Sequence, residues 1–389
     1  MKPFYKPSLE VADIFERFGH LLGPQPKTHR KVIQDIVNCR TSVLGGHRLQ
    51  CDECQYEKQS YNSCRNRHCP KCQFTAQVKW IEKRTEDLLP CPYFHVVFTV
   101  PSELNALVLR NKKKSYDILF KAASQTLKEV AQNPKHLGAE IGCIGVLHSW
   151  GQNLLDHPHI HFIVPGGGLN SEKTKWVQCQ KDYFLPVKVL SRVFRGKVLE
   201  CFEKAFDRGD LHFFGEIDHL RLPAVFRDLL MSCTQKEWVV YSKETFAGPK
   251  QVIEYLGQYT HRIAITNYRL VKLDGENVHF KVRDRENPKE KKIMVLHVRE
   301  FMRRFLLHVL PKRYVRIRHF GLLGSRLKKM KIAVVRRLQG VVAKIKETLE
   351  ESSQQIFKRV TGIDPERCPS CKTGTLKDLF SFASAIGPP

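Results

Sequence analysis

Between Cys39 and Cys72 the chain sets eight soft metal ligands: Cys39, His47, Cys51, Cys54, Cys64, His68, Cys69 and Cys72. Zinc wants four such ligands in a tetrahedron, and two CxxC pairs supply them without a large core. The pairs Cys51-x-x-Cys54 and Cys69-x-x-Cys72 stand fourteen residues apart. This spacing predicts one zinc site built from Cys51, Cys54, Cys69 and Cys72. The alternative is four small core residues. Cys39, His47, Cys64 and His68 then either make a second, interleaved site of two cysteines and two histidines, or some of them merely pack or bind DNA, since spacing alone cannot pair them. Arg40, Arg48, Arg65, Arg67 and Lys71 surround the cluster and suit a phosphate-contacting surface. Cys368-x-x-Cys371 stands alone near the end, and one pair cannot complete a tetrahedron.

The chain has 65 Lys+Arg against 39 Asp+Glu, a net charge of +26 over 389 residues. Such a surplus implies a polyanionic partner, nucleic acid before membrane. No run approaches the roughly 18–20 apolar residues of a membrane span. The opening MKPFYKPSLEVADIFERF carries charges where a signal peptide has its apolar core. Secretion is therefore unsupported. Thirteen cysteines in a reducing, cytoplasmic setting read as metal ligands or core residues rather than disulfides.

Periodicity predicts helices over 1–38 and 76–89, and a strand over 94–101. It predicts helix over 103–131, then strands over 141–150 and 159–168. Residues 170–245 are mixed. A helix is expected over 251–259, a strand over 263–270, a hairpin around Glu286–Glu290, a helix over 298–310 and a longer basic helix over 326–360. The tail from Cys368 is expected to be loose.

The run His157-Pro158-His159-Ile160-His161-Phe162 carries the chemistry. On a strand, residues two apart share a face, so His159 and His161 point together while Ile160 and Phe162 face the core. Two imidazoles from one strand are most of an open metal site. Antiparallel pairing with 141–150 brings His148 near His159, making His148 the first choice of third ligand. Gln152, His157, His95 and Gln251 are the alternatives. A hydrogen-bonded histidine cluster without metal is the competing reading. Tyr255 and Tyr259 lie at i and i+4 on one helix face, beside the apolar stripe of Val252 and Leu256. They are either part of that stripe or a pair of nucleophiles, because an activated tyrosine can form a covalent intermediate and a divalent metal polarises a phosphate.

Seven blocks make the chain resemble the two-tyrosine, HUH-type rolling-circle transposases of the insertion-sequence ninety-one family. They are CRTSVLGGHRLQCDEC, YNSCRNRHCPKCQ, YFHVVFTVP, LHSWGQNLLDHPHIHFIVPGGGL, YFLPVKVLSRVFRGK, IEYLGQYTHRIAITN and LPKRYVRIRHFGLL, spread over residues 39–323. The resemblance implies an α+β fold: an HUH nuclease core on a mainly antiparallel sheet, preceded by a small zinc-binding domain. A helical, basic C-terminal region follows. The boundaries expected are 1–90, 91–320 (with 170–245 a possible insertion) and 321–389. His159 and His161 match the paired histidines and Tyr255 and Tyr259 the nucleophiles.

The implied activity is metal-dependent cleavage and rejoining of single-stranded DNA at element ends and target, through 5′-phosphotyrosine. The implied cofactors are structural zinc and catalytic magnesium or manganese, imidazole leaning to manganese. No ATP and no membrane are expected, and the setting is the bacterial nucleoid. Arg65, Arg67, His261, Arg262, Lys312, Arg313, Arg316 and Arg318 are the candidate DNA contacts. A related replication initiator or relaxase shares the chemistry, though no GxxxxGK[ST] motif marks a relaxase helicase. A zinc-dependent, non-catalytic DNA-binding regulator is the reading from another class.

Overall fold

The computed structural model describes residues 7–244, 253–254, 257, 264–284, 287, 290–324, 326, 328–341 and 351–385. Their architecture is α+β, with antiparallel sheets. The strands are β1 (Gly46–Cys51), β2 (Glu57–Tyr61), β3 (Tyr93–Thr99), β4 (Gly142–Trp150), β5 (Asp156–Pro165), β6 (Gly167–Leu169), β7 (Trp176–Gln178), β8 (Val240–Glu244), β9 (Leu270–Asp274), β10 (Asn277–Arg283), β11 (Lys291–His297), β12 (Ile317–Gly321) and β13 (Leu376–Phe382). Five of them form the central sheet in the order β12-β4-β5-β3-β8.

β5 is the middle strand, and its alternation organises the molecule. Ile160, Phe162 and Val164 face one side, where helices Lys112–Gln132 and Val187–Asp207 cover them. Phe98, Phe120, Phe194 and Phe202 fill that core, each about 1.5–3 kcal/mol of burial. A Cβ on Gly145 would meet Phe162 Cε1 at 2.8 Å, so a glycine lets the ring lie against β4. On the opposite side β5 presents His159, His161 and Ile163.

Residues 170–245 contribute directly to this core, through helix Val187–Asp207 and edge strand β8, which pairs with β3. Of the expected strand over 263–270, the described residues 264–269 are not strand, which starts at Leu270. Asn267–Arg269 form a 3-10 turn, because the buried Asn267 Oδ1 accepts a hydrogen bond from Val11 N at 3.2 Å. The expected long basic helix comprises helices Lys328–Leu338 and Ser353–Thr361, with 342–350 outside the described residues. The tail is not loose: β13 pairs antiparallel with β1 in the sheet β13-β1-β2.

A second apolar cluster joins the N-terminal helices to the meander β9–β11 and helix Val298–Leu307. Phe15 meets Phe305 edge-on at 5.5 Å. Next to it, His308 is buried, with Nε2 2.9 Å from the Leu154 carbonyl and Nδ1 3.3 Å from Ser149 Oγ. Burial pushes its pKa down to about 4. In the unfolded chain it titrates near 6.5, so between these values unfolding takes up a proton. The stability that neutral His308 contributes is complete above about pH 6.5 and lost as pH falls toward 4. Urea melts between pH 7.5 and 4.5 should show His308→Gln flattening the acid slope by up to one proton, about 1.4 kcal/mol per pH unit at most.

Candidate metal centres and DNA-acting site

Among the described residues, three groups of side chains could hold a metal ion, the ligand atoms of each lying within 4.8 Å of one another. The first is Cys39, Cys64, Cys69 and Cys72; the second is Cys51, Cys54, Cys368 and Cys371; the third is His148, His159 and His161.

The expected zinc site is therefore corrected. Cys51 and Cys54 do not join Cys69 and Cys72; the two pairs belong to different groups. The physical reason lies in the hairpin. β1 ends at Cys51 and pairs with β2, which directs the first pair away from the second. Cys39, at the end of helix Lys27–Val37, and Cys64, after β2, complete the other group. In it Cys39 and Cys72 sulfurs are 3.2 Å apart and Cys64 and Cys72 3.5 Å. Hydrogen bonds from Cys39, Cys64 and Cys69 hold the Cys72 thiol well below its ordinary pKa. A stabilised thiolate among thiols is what a soft cation needs.

His47 and His68 belong to neither cysteine group. His68 is buried, its Nε2 accepts from Leu310 N at 3.1 Å, and its Nδ1 lies 3.0 Å from Asn66 Oδ1. His47 Nδ1 contacts Ser381 Oγ at 3.0 Å and Asp378 at 3.4 Å.

The histidine group follows from strand register. His148 lies opposite His159 across β4 and β5, beside a β-bulge, and Val97 lies opposite His161 across β3. His148 and His161 are buried and His159 half-buried. His159 Nδ1–H donates to the His157 carbonyl at 2.6 Å. His161 Nδ1 and His95 Nε2 share a hydrogen bond of 2.7 Å, with the rings stacked 4° from parallel. Both bonds use Nδ1, which directs Nε2 to a ligand, the outer-shell pattern of metal-binding histidines. Burial lowers His159 and His95 to about 4 and His161 well below its usual value. His159 and His161 are thus neutral lone-pair donors at neutral pH. Nothing in the sequence pattern singles out Trp150. It shares the face of His148, two residues away, and stacks on it at 4.6 Å.

Tyr255, Tyr259, Gln251, His261 and Arg262 lie outside the described residues. Of their neighbours, Ile253, Glu254 and Gly257 are helical. Ile253 is buried with Ile144 and Ile163, which share a sheet face with His148 and His161. A Cβ on Gly257 would meet Ile81 Cγ1 at 2.3 Å, so Gly257 lies directly against helix Phe74–Glu86.

The candidate DNA contacts divide. Arg65, Lys312 and Arg313 are exposed. Arg67 Nη1 donates to the Tyr314 carbonyl at 2.6 Å. Arg316 is buried, and burial beside Arg67 lowers its pKa to about 9. Arg318 pairs with Asp117 at 2.5 Å and lies 4.5 Å over the Phe120 ring. Arg316 and Arg318 are therefore engaged inside the fold instead of presented to a phosphate.

The family profile described as "Transposase zinc-binding domain" matches residues 11–100, and the one described as "Putative transposase" matches residues 142–331. A relative in Sinorhizobium fredii, "Putative transposase y4qJ", is 45% identical over 98% of this chain and 97% of its own. The chain belongs to the insertion-sequence ninety-one family of transposases. A "Transposase for insertion sequence element IS801" from Pseudomonas savastanoi pv. phaseolicola is 25% identical over 95% of this chain and 89% of its own. No solved structure gives a significant match. As a transposase, the protein is an enzyme acting on DNA, and its zinc-binding domain contains a four-cysteine cluster that fits structural zinc. No helix among the described residues is long and apolar enough to cross a membrane.

Because Cys39, Cys64 and Cys69 are buried in the second apolar cluster, losing their ion exposes unpaired thiols to that core. Cys69→Ser should release one zinc per chain and lower stability by several kcal/mol, of the order of a lost structural metal ligand. Metal analysis and thermal melts with and without a strong chelator check this.

Proposed function

We propose that this transposase cleaves and rejoins single-stranded DNA at the ends of a mobile element, by the rolling-circle route, with Tyr255 and Tyr259 as nucleophiles. The observation carrying this reading is the three-imidazole group His148, His159 and His161 on the middle strand of an antiparallel sheet. That arrangement has the form of an HUH core, and His148 is its third ligand. The donor set fits a small divalent ion, manganese ahead of magnesium. Once bound there, such an ion polarises the scissile phosphate.

The chain's own groups divide the remaining work. A tyrosine Oη attacks the phosphorus, the 5′-phosphate becomes a tyrosine ester, and the 3′-OH leaves. The second tyrosine repeats this on the other strand, and each free 3′-OH resolves an ester. The ester conserves the broken bond, so no ATP is consumed. His95 fixes the ring of His161 through their hydrogen bond. Ile253 packs with Ile144 and Ile163 on the histidine face of the sheet, which supports bringing the segment that carries Tyr255 and Tyr259 to that face. His261 and Arg262 are assigned to the scissile phosphate, and Arg65, Lys312 and Arg313 to the flanking backbone. Arg67 has a lesser part there, since its guanidinium is held by Tyr314.

We read residues 1–90 as the zinc-binding domain, 91–320 as the nuclease and 321–389 as a basic C-terminal region. The substrate is found at the nucleoid of a bacterial cytoplasm.

Labelled single-stranded oligonucleotides from the flanks of the gene, incubated with manganese and run on denaturing gels, test this. A covalent protein–DNA band is expected. It should need metal and vanish in the Tyr255→Phe, Tyr259→Phe double variant. His161→Ala should reduce it about 100-fold or more, the scale of a lost charge-stabilising group. An adduct surviving in the double tyrosine variant would overturn the assignment. His95→Ala should raise the manganese concentration needed for half-maximal adduct by about 10–100-fold. His95→Gln should restore part of that affinity.

A further inference from the structure

The zinc-binding domain profile ends at residue 100, yet half of the second cysteine group comes from residues 368 and 371. We propose that Cys51, Cys54, Cys368 and Cys371 form a second zinc centre, which fastens the C-terminal strand to the N-terminal hairpin. It shares no ligand with the first group, so the chain carries two ions. The inference is independent of the catalytic reading.

The sulfur geometry carries the argument. Cys51 and Cys371 sulfurs lie 3.7 Å apart, and Cys54 and Cys368 sulfurs 3.6 Å. In a tetrahedron with Zn–S near 2.3 Å, neighbouring sulfurs lie about 3.8 Å apart. A disulfide would need about 2.05 Å, and all four cysteines are free thiols. Each close contact joins one cysteine of the hairpin to one of the tail, as two knuckles clasping one ion require.

The surrounding backbone is shaped for thiolates. Glu53 N and Cys54 N lie 3.4 and 3.5 Å from Cys51 Sγ, and Gly374 N lies 3.3 Å from Cys371 Sγ. Amide-to-sulfur bonds of this kind orient and stabilise ligands from outside the first shell. A Cβ at Gly374 would come within 2.5 Å of Cys51 Sγ, so only glycine lets the tail close over that sulfur. Asp52 and Thr375 exchange two hydrogen bonds across the seam, 3.1 Å and 2.7 Å.

The apolar support here is slight. The cluster consists of Cys51, Cys368 and Leu376, with Leu49 and Cys371 packed against it. Three of the five are the cysteines themselves, and two leucines do not make a core that holds a three-stranded sheet. A bound ion supplies what the core lacks. Four sulfurs in a tetrahedron take zinc or iron, and zinc needs no redox partner.

The test uses the full-length chain purified under reducing conditions. Metal analysis of the wild type should give two zinc ions per chain and no iron. The double variant Cys368→Ser, Cys371→Ser should hold one, and its tail should become protease-sensitive. One zinc in the wild type, two in the double variant, or iron in place of zinc would each overturn the proposal. A second measurement needs no variant. Native wild-type protein is alkylated and its peptides are read by mass spectrometry. Cys54 is exposed, so burial alone cannot shield it. Protection of Cys54 and Cys371, lost together on chelation, is the expected result. Alkylation of Cys54 in the metal-loaded protein at the rate of an open thiol would overturn it.

Discussion

The antiparallel pairing of β4 with β5 sets the relation between core and chemistry. It puts His148 opposite His159, and the two-residue period of β5 then sends imidazoles to one face and Ile160, Phe162 and Val164 to the other. A slip of one residue would exchange these sets, burying histidines among phenylalanines and exposing the core. The large apolar cluster on one face therefore enforces the register that assembles the polar site on the other. Stability and chemistry are specified by the same hydrogen-bond ladder.

The positive charge has two uses. Part is spent inside the molecule. Lys328 pairs with Asp87, Lys331 with Glu140 and Arg318 with Asp117, while Arg336 reaches the carbonyl of Leu88. These bonds pin helix Lys328–Leu338 and strand β12 to the rest of the fold. The exposed remainder, Arg65, Lys312 and Arg313 included, gives the surface its positive potential.

The central strands were legible because alternation over FHVVFT and HIHFIV reports two faces directly, and the His148–His159 register followed from one short connection. Ligand partnership in the cysteine groups was not. Two CxxC pairs fourteen residues apart satisfy a spacing rule, yet spacing says nothing about a partner more than three hundred residues away. The same limit hid the roles of His47 and His68, whose partners Ser381 and Leu310 are distant in sequence. Residues 263–270 read as one strand, but the buried Asn267, bonded back to Val11, sits in a 3-10 turn that precedes the strand. Arg316 and Arg318 looked like surface charge because their density says nothing about which rings and carboxylates lie beside them.

The pairing of β1 with β13 has a consequence for biosynthesis. Gly46 is made more than three hundred residues before its partner Phe382. During translation the hairpin β1–β2 must wait with an unpaired edge until β13 has left the ribosome. Contacts this remote in sequence form late and slowly. A truncated or frame-shifted product, a common fate of mobile genes, would keep that edge open to other chains. The hairpin β1–β2 is thus finished only by a strand made more than three hundred residues later.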